Sequence, residues 1–278
     1  MQIRRSIHYL ACTIIQSCIK IISLLIMAVF LYFCLYISVF TTSVLGLKLI
    51  DDSNAVDVSK FLEGDGNPWF LTQDGLEMAI SNMNKTKKTL FFPAGIYHSD
   101  TRITLDIANV FPDSDDRHKI FSSGVRFIGE HYGSIIQIGK LRNQTEPAFW
   151  VKWTGHGVFF WEFSEIAFSG DTDHTLLKFG NEGGNGYNRT GAWNSCIFKL
   201  SVNNHYKDND MDDSSRGPAI GLFMVQPLQS DIRIISTCAK GVAVRLRSCE
   251  FSTISGSFSN TESDVLSPEG SKQITSNR

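Results

Sequence analysis

The chain has 278 residues, 42% hydrophobic and 19% charged, with 22 glycines, 20 phenylalanines and 7 prolines. That balance excludes a wholly disordered chain and fits one sizeable folded domain plus an appendage, built of short apolar segments between many turns. The net charge of −2 is unevenly spread: residues 1–46 hold Arg4, Arg5 and Lys20 and no acid, so the remainder is net −5 and lacks the basic excess that nucleic-acid binding requires.

Residues 21–40 are uncharged, and Ser23 and Ser38 are their only polar members. At about 1.5 Å per helical residue such a run matches the hydrocarbon thickness of a bilayer. It predicts a transmembrane signal anchor or a cleaved signal peptide, and its length favours the anchor. The three preceding cations place the N-terminus in the cytoplasm and the body outside, so residues 1–46 form a cytoplasmic stub plus anchor or signal peptide. Of six cysteines, Cys12, Cys18 and Cys34 fall in or before this run. Cys196, Cys238 and Cys249 are an odd set without metal-ligand spacing, read as apolar filling, with one disulfide plus a free thiol as the alternative. Asn84, Asn143 and Asn188 each begin an Asn-X-Thr sequon.

In the body, residues 71–82 predict one short helix, with Thr72 as N-cap and Leu76, Met78, Ala79, Ile80 and Met83 as apolar positions. After it come only runs of about four to eight apolar or alternating residues, separated by Gly, Asn, Asp and Ser, which predict short strands. The first is LFFPAGIYHSDTRITL, residues 90–105, where a Pro-Ala-Gly corner separates two apolar runs.

These runs repeat. Aligning residues 218–234 with 240–256 sets Ile220 over Val242, Leu222 over Val244, Met224 over Leu246 and Ile232 over Ile254, all at one offset. A further step of the same size sets Phe198 under Ile220, Leu200 under Leu222 and Val202 under Met224. A constant offset suits coils that bury their inward residues on the identical face of the next coil, and it argues against an antiparallel sandwich or barrel.

The segment DVSKFLEGDGNPWFLTQDGLEMAI, residues 57–80, followed by the corner and by GVRFIGEHYGSIIQIG, resembles the opening of the pectate-lyase-like superfamily, in particular the rhamnogalacturonase and epimerase-like lyases and the N-terminal part of phage tail-spike depolymerases. In that group Gly64, Asp65 and Gly66 match a Gly-Asp-Gly that precedes a capping helix. Asn67, Pro68 and Trp69 stand where the family carries Thr-Asp-Asp, which affects the local turn and leaves the capping helix in place. The resemblance covers residues 57–139 and implies an all-β fold: a right-handed parallel β-helix over residues 51–262, capped by the helix near 71–82, preceded by the membrane or signal helix and followed by a disordered tail, 263–278. It implies action on polysaccharide as lyase, hydrolase or epimerase, with Ca²⁺ as the cofactor such lyases use. Assembly as a monomer or a homotrimer is open.

Candidate chemistry is sparse. Gly155-His156-Gly157 lacks the companion motifs of the hydrolases that carry such a triplet, and His156 reads as a turn residue. Asp171, Asp173 and His174 lie at one coil edge. Two carboxylates at i and i+2 of an extended segment share a side, which suits paired-carboxylate catalysis, and a solvated turn is the alternative. Tyr187 and Trp193, in a glycine-rich loop, are candidates for stacking on sugar; packing over the coil edge is the alternative for Trp193. The loop 203–217 holds Asp208, Asp210, Asp212 and Asp213 but fails the EF-hand pattern, so no metal ligand is assigned. Two functions follow: a carbohydrate-active enzyme outside the membrane, or a non-catalytic β-helix that binds glycan or serves as a surface scaffold.

Overall fold

The polar-apolar alternation of the body resolves into strands in a computed structural model, which describes residues 54–65, 67–106, 123–141, 145–152, 157–181, 192–204, 219–239 and 241–259, and the backbone of 263–266 and 275–277. All belong to the second of two compact units, Asp52–Arg278. The membrane or signal span at 21–40 lies outside the described residues, as do His156, Tyr187, Asp208, Asp210, Asp212, Asp213 and the sequons at Asn143 and Asn188. Among the described residues no helix is long and apolar enough to cross a membrane.

The predicted helix forms over Gln73–Ser81, and its cap is Thr72, extended in backbone, whose Oγ1 accepts from the Gly75 amide at 3.1 Å. It buries Leu76, Ala79 and Ile80 and leaves Met78 exposed. Gly75 is required by close approach: a Cβ there would stand 2.6 Å from a Leu62 methyl and 2.8 Å from the Phe61 carbonyl. The helix also closes a sheet edge. The Gln73 amide donates to the Thr104 carbonyl at 2.6 Å, and its carbonyl accepts from the Thr104 amide at 2.9 Å, as a further strand would.

Apart from a 3-10 turn at Val58–Phe61, the rest of the regular structure among the described residues is β, in three sheets whose long-strand pairings are parallel. The chain visits them in rotation. One round runs through Thr175–Phe179 in the second sheet, Trp193–Asn194 in the third and Ile197–Asn204 in the first; the next runs through Ile220–Val225, Pro227–Leu228 and Asp231–Ala239. A shorter round adds Val242–Arg247 and Thr253–Ser259. In the first sheet Leu90, Phe127, Phe163, Phe198, Ile232 and Ile254 fall on one register line, all buried.

The pairings of Ile220, Leu222 and Met224 with Val242, Val244 and Leu246, and of Ile232 with Ile254, form as aligned. The further step does not. Phe198 pairs with Phe163 and Ile232, while Ile220 pairs with Thr175 in a different sheet. Residues 205–218 lengthen that round, so 34 positions separate Phe198 from Ile232 where 22 separate Ile232 from Ile254. Within 263–278, the segment read as disordered, two pieces pair as strands: Ser263–Leu266 with Val242–Arg247, and Thr275–Asn277 with Thr253–Ser259. Unpaired backbone on the last strands supplies partners that a weakly patterned segment can use.

The core is a file of rings along the stack. Phe127, Phe163 and Phe198 stack with centroids 4.6 and 5.7 Å apart, Phe179 and Trp193 meet Phe163 and Phe198 edge-on, and Trp161 stacks on Phe127 and lies tilted to Phe163. Two kinds of corner hold the rounds in register. After the third sheet, Gly124, Phe160, Ser195, Gln229 and Phe251 all adopt positive φ, and each amide from Gly124 to Gln229 donates to the following round at 2.9–3.0 Å. The Pro-Ala-Gly corner heads the other: Gly95 N donates to Gly133 O, Tyr132 N donates to Glu165 O, and Tyr97 Oη donates to Pro93 O.

Candidate functional site

Alternation on the second sheet turns one residue in two outward. Across successive strands the outward register reads Thr104, Trp150, Lys178, Phe223, Arg245. Parallel strands lie about 4.8 Å apart, so these side chains form a continuous pile perpendicular to the strands. Lys152 Nζ lies 4.2 Å from the Trp150 ring centroid, and Lys178 Nζ lies 4.9 Å from Trp150 and 4.8 Å from Phe223. The Arg245 guanidinium lies 5.0 Å from Phe223. Each distance is within cation–π range. Trp150 is fixed by its indole N–H, which donates to the Gly180 carbonyl at 2.7 Å.

Around this pile opens a groove of about 570 Å³, a volume within the range of small-ligand sites. Asp106, Thr145, Glu146, His174, Thr175 and Asn181 complete its polar lining. Glu146 is ion-paired with Arg102, and Asp106 sits opposite Lys152 in the sheet register. Lys178 and Phe223 are themselves buried, 6% and 2% exposed, so the groove meets a ligand through charge and hydrogen bonds rather than ring faces.

Of the predicted catalytic residues, the groove takes up His174. Asp171 is the penultimate residue of the strand Glu162–Thr172, half-buried and opposite Lys140. Asp173 lies beyond the strand end and is 7% exposed. The premise of one extended segment is therefore corrected: the i, i+2 rule holds within a strand, and here the strand ends and the chain bends after Thr172. Asn204 sets that bend. Its side chain accepts from the Thr172 amide at 3.1 Å and donates to the His174 and Ile220 carbonyls at 3.2 and 3.3 Å. Trp193 is likewise corrected, from sugar contact to core: it is fully buried with Phe163, Phe179 and Phe198 around it, because the glycine-rich loop ends before it and it opens a strand. Among the described residues no group of three or more His, Cys, Asp or Glu is placed to hold a metal ion. Cys196 and Cys249 are buried, in keeping with apolar filling. Burial pushes the Cys196 thiol up to about 12, which makes it unreactive at neutral pH.

The groove residues escaped sequence reasoning because Trp150, Lys178, Phe223 and Arg245 are far apart in the chain and share no motif. The one available signal was position: each lies in a short strand between two buried neighbours.

No protein-family model and no curated protein matches the chain. A similar solved structure is that of ORF18 from Geobacillus virus E2, with 13% identity and a TM-score of 0.25 over 79% of this chain. The chain spans 62% of that protein's length, and a likeness of this depth carries no argument.

Proposed function

We propose that the body is a right-handed parallel β-helix of the pectate-lyase-like type, displayed outside the membrane by the N-terminal segment or secreted, that holds a polysaccharide along its second sheet. Three features support the fold: strands visiting three sheets in rotation, parallel pairing throughout the rounds, and a helix over the first edge. The observation that carries the function is the groove over Trp150, Lys178, Phe223 and Arg245, which crosses four strands and suits an extended ligand better than a compact one. Glycan binding is the reading favoured by geometry, since Asp171 and Asp173 do not line that groove.

A second reading, catalysis, has one observation in its favour: Asp106, Glu146 and His174 line the same groove and include two carboxylates. Incubating the full chain with a polysaccharide panel, followed by assays for retained glycan, new reducing ends and unsaturated-uronate absorbance, separates the two. Retention without new ends identifies the binder, new ends or absorbance identify the enzyme, and neither signal on any glycan overturns the proposal.

A further inference from the structure

Three large exposed rings share one place in the stack. Phe159, Phe160 and Phe251 are 46%, 63% and 54% exposed, and all stand where the chain passes from the third sheet to the first. Phe160 and Phe251 hold the corner itself, at φ of 57 and 50°, where an earlier round has Gly124 with open space around a Cβ. That backbone favours glycine, so the turn does not call for either ring, and neither ring is covered. The two lie three rounds apart, about 14 Å along the stack, and Ile197, 37% exposed, stands on a round between them.

The chain comes onto the stack at this same corner. Ala55, Thr89, Arg126, Glu162 and Ile197 fall on one register line, two positions past the corner in each round, and Ala55 opens it. Residues 41–53, between the uncharged run 21–40 and this point, reach at most about 45 Å. Of the charges along the edge, Arg126 is paired with Glu162 and Arg233 with Asp231, each at 2.8 Å. The sequence sets Lys85, Lys87 and Lys88 ahead of Thr89 against Asp51, Asp52 and Glu250. In a body of net −5 this edge is balanced in charge and aromatic, the character of protein that rests in the headgroup region of a bilayer.

We infer that this edge lies on the bilayer that anchors the chain, with Phe159, Phe160 and Phe251 seated among the lipid headgroups. The inference rests on the membrane-anchored form of the reading above and adds which side of the body meets the lipid. The corner joins the third sheet to the first, so the second sheet, which carries the groove, is the side turned away from the membrane.

The test reconstitutes the full chain into phosphatidylcholine vesicles with ordinary or brominated acyl chains. Tryptophan quenching by the bromine is measured for Phe160→Trp, Phe251→Trp and Lys140→Trp, each as the difference from the unaltered chain. Lys140 is exposed near the far end of the first sheet. The expected result is quenching in both corner variants at least about threefold that in Lys140→Trp, with unchanged melting temperatures, because the seated rings alone approach the acyl chains. High salt leaves the quenching as it is, since no excess charge drives the contact. Equal quenching in all three overturns the edge contact, and the anchored reading stands if the chain still floats with the vesicles after an alkaline carbonate wash. Release by that wash overturns the anchor and the inference with it. Loss of quenching at high salt overturns the apolar contact. Absent quenching together with a dimer that Phe160→Asp dissociates, read by sedimentation, overturns the lipid in favour of a second copy of the chain.

Discussion

Asn204 carries more of the architecture than its polarity suggests. Its buried amide satisfies one backbone N–H and two carbonyls at the point where the chain leaves the first sheet for the second. Asn204→Ala strands those groups, and a loss of about 2–4 kcal/mol is expected in denaturant unfolding. Asn204→Asp costs more, because a carboxylate would then face two carbonyl oxygens. Phe163 is the matching apolar case, stacked between Phe127 and Phe198 and 3% exposed; Phe163→Ala is expected to cost about 3–5 kcal/mol by the same measurement. Gln229 points the other way. It is exposed at positive φ, where an L-residue is strained by about 1–2 kcal/mol, so Gln229→Gly is expected to stabilise by about 0.5–1 kcal/mol after glycine's own entropy cost. Nothing in the local sequence marks Gln229 or Phe160 as corner residues, since tertiary hydrogen bonds impose their conformation.

The helix Gln73–Ser81 was legible down to its cap because capping and apolar spacing are local properties. Its role as an edge cover was legible only through the resemblance, and the residue that performs it, Gln73, was not, because Thr104 is 31 positions away. Gln73→Ala is expected to lower stability by about 1–2 kcal/mol, read from the denaturant midpoint at constant m. Deletion of residues 72–82 opens the first round and is expected to give aggregation in light scattering; a deletion variant that stays monodisperse and unfolds cooperatively would remove the capping role. The strands were legible as well, yet their grouping was not. Phe198, Leu200 and Val202 carry the same alternation as Ile220, Leu222 and Met224, and only the pairing partners show that they belong to different sheets.

The stack as a whole keeps its ionisable core groups protonated. Burial raises the Cys196 thiol to about 12 and pushes the Tyr97 hydroxyl above its ordinary value, with Asp57 and Glu130 adding to the shift. Both groups titrate earlier in the unfolded chain, so the stability they contribute is present below pH 9 and is lost as pH rises from about 9 towards 12. An alkaline unfolding transition in that window is expected by circular dichroism, with a shallower pH slope in Cys196→Ala. The sequence by itself determined the β-rich class, the helix Gln73–Ser81 with its cap, the tight Pro-Ala-Gly corner and the apolar lines of the last rounds, because each follows from local propensity or a short period. Which lines join, that Trp193 fills the core, that the tail extends the sheets and that Trp150, Lys178, Phe223 and Arg245 form one face were decided by the tertiary structure alone. Parallel stacking brings together residues from successive rounds, and the variable length of each round hides that neighbourhood from any reading along the chain.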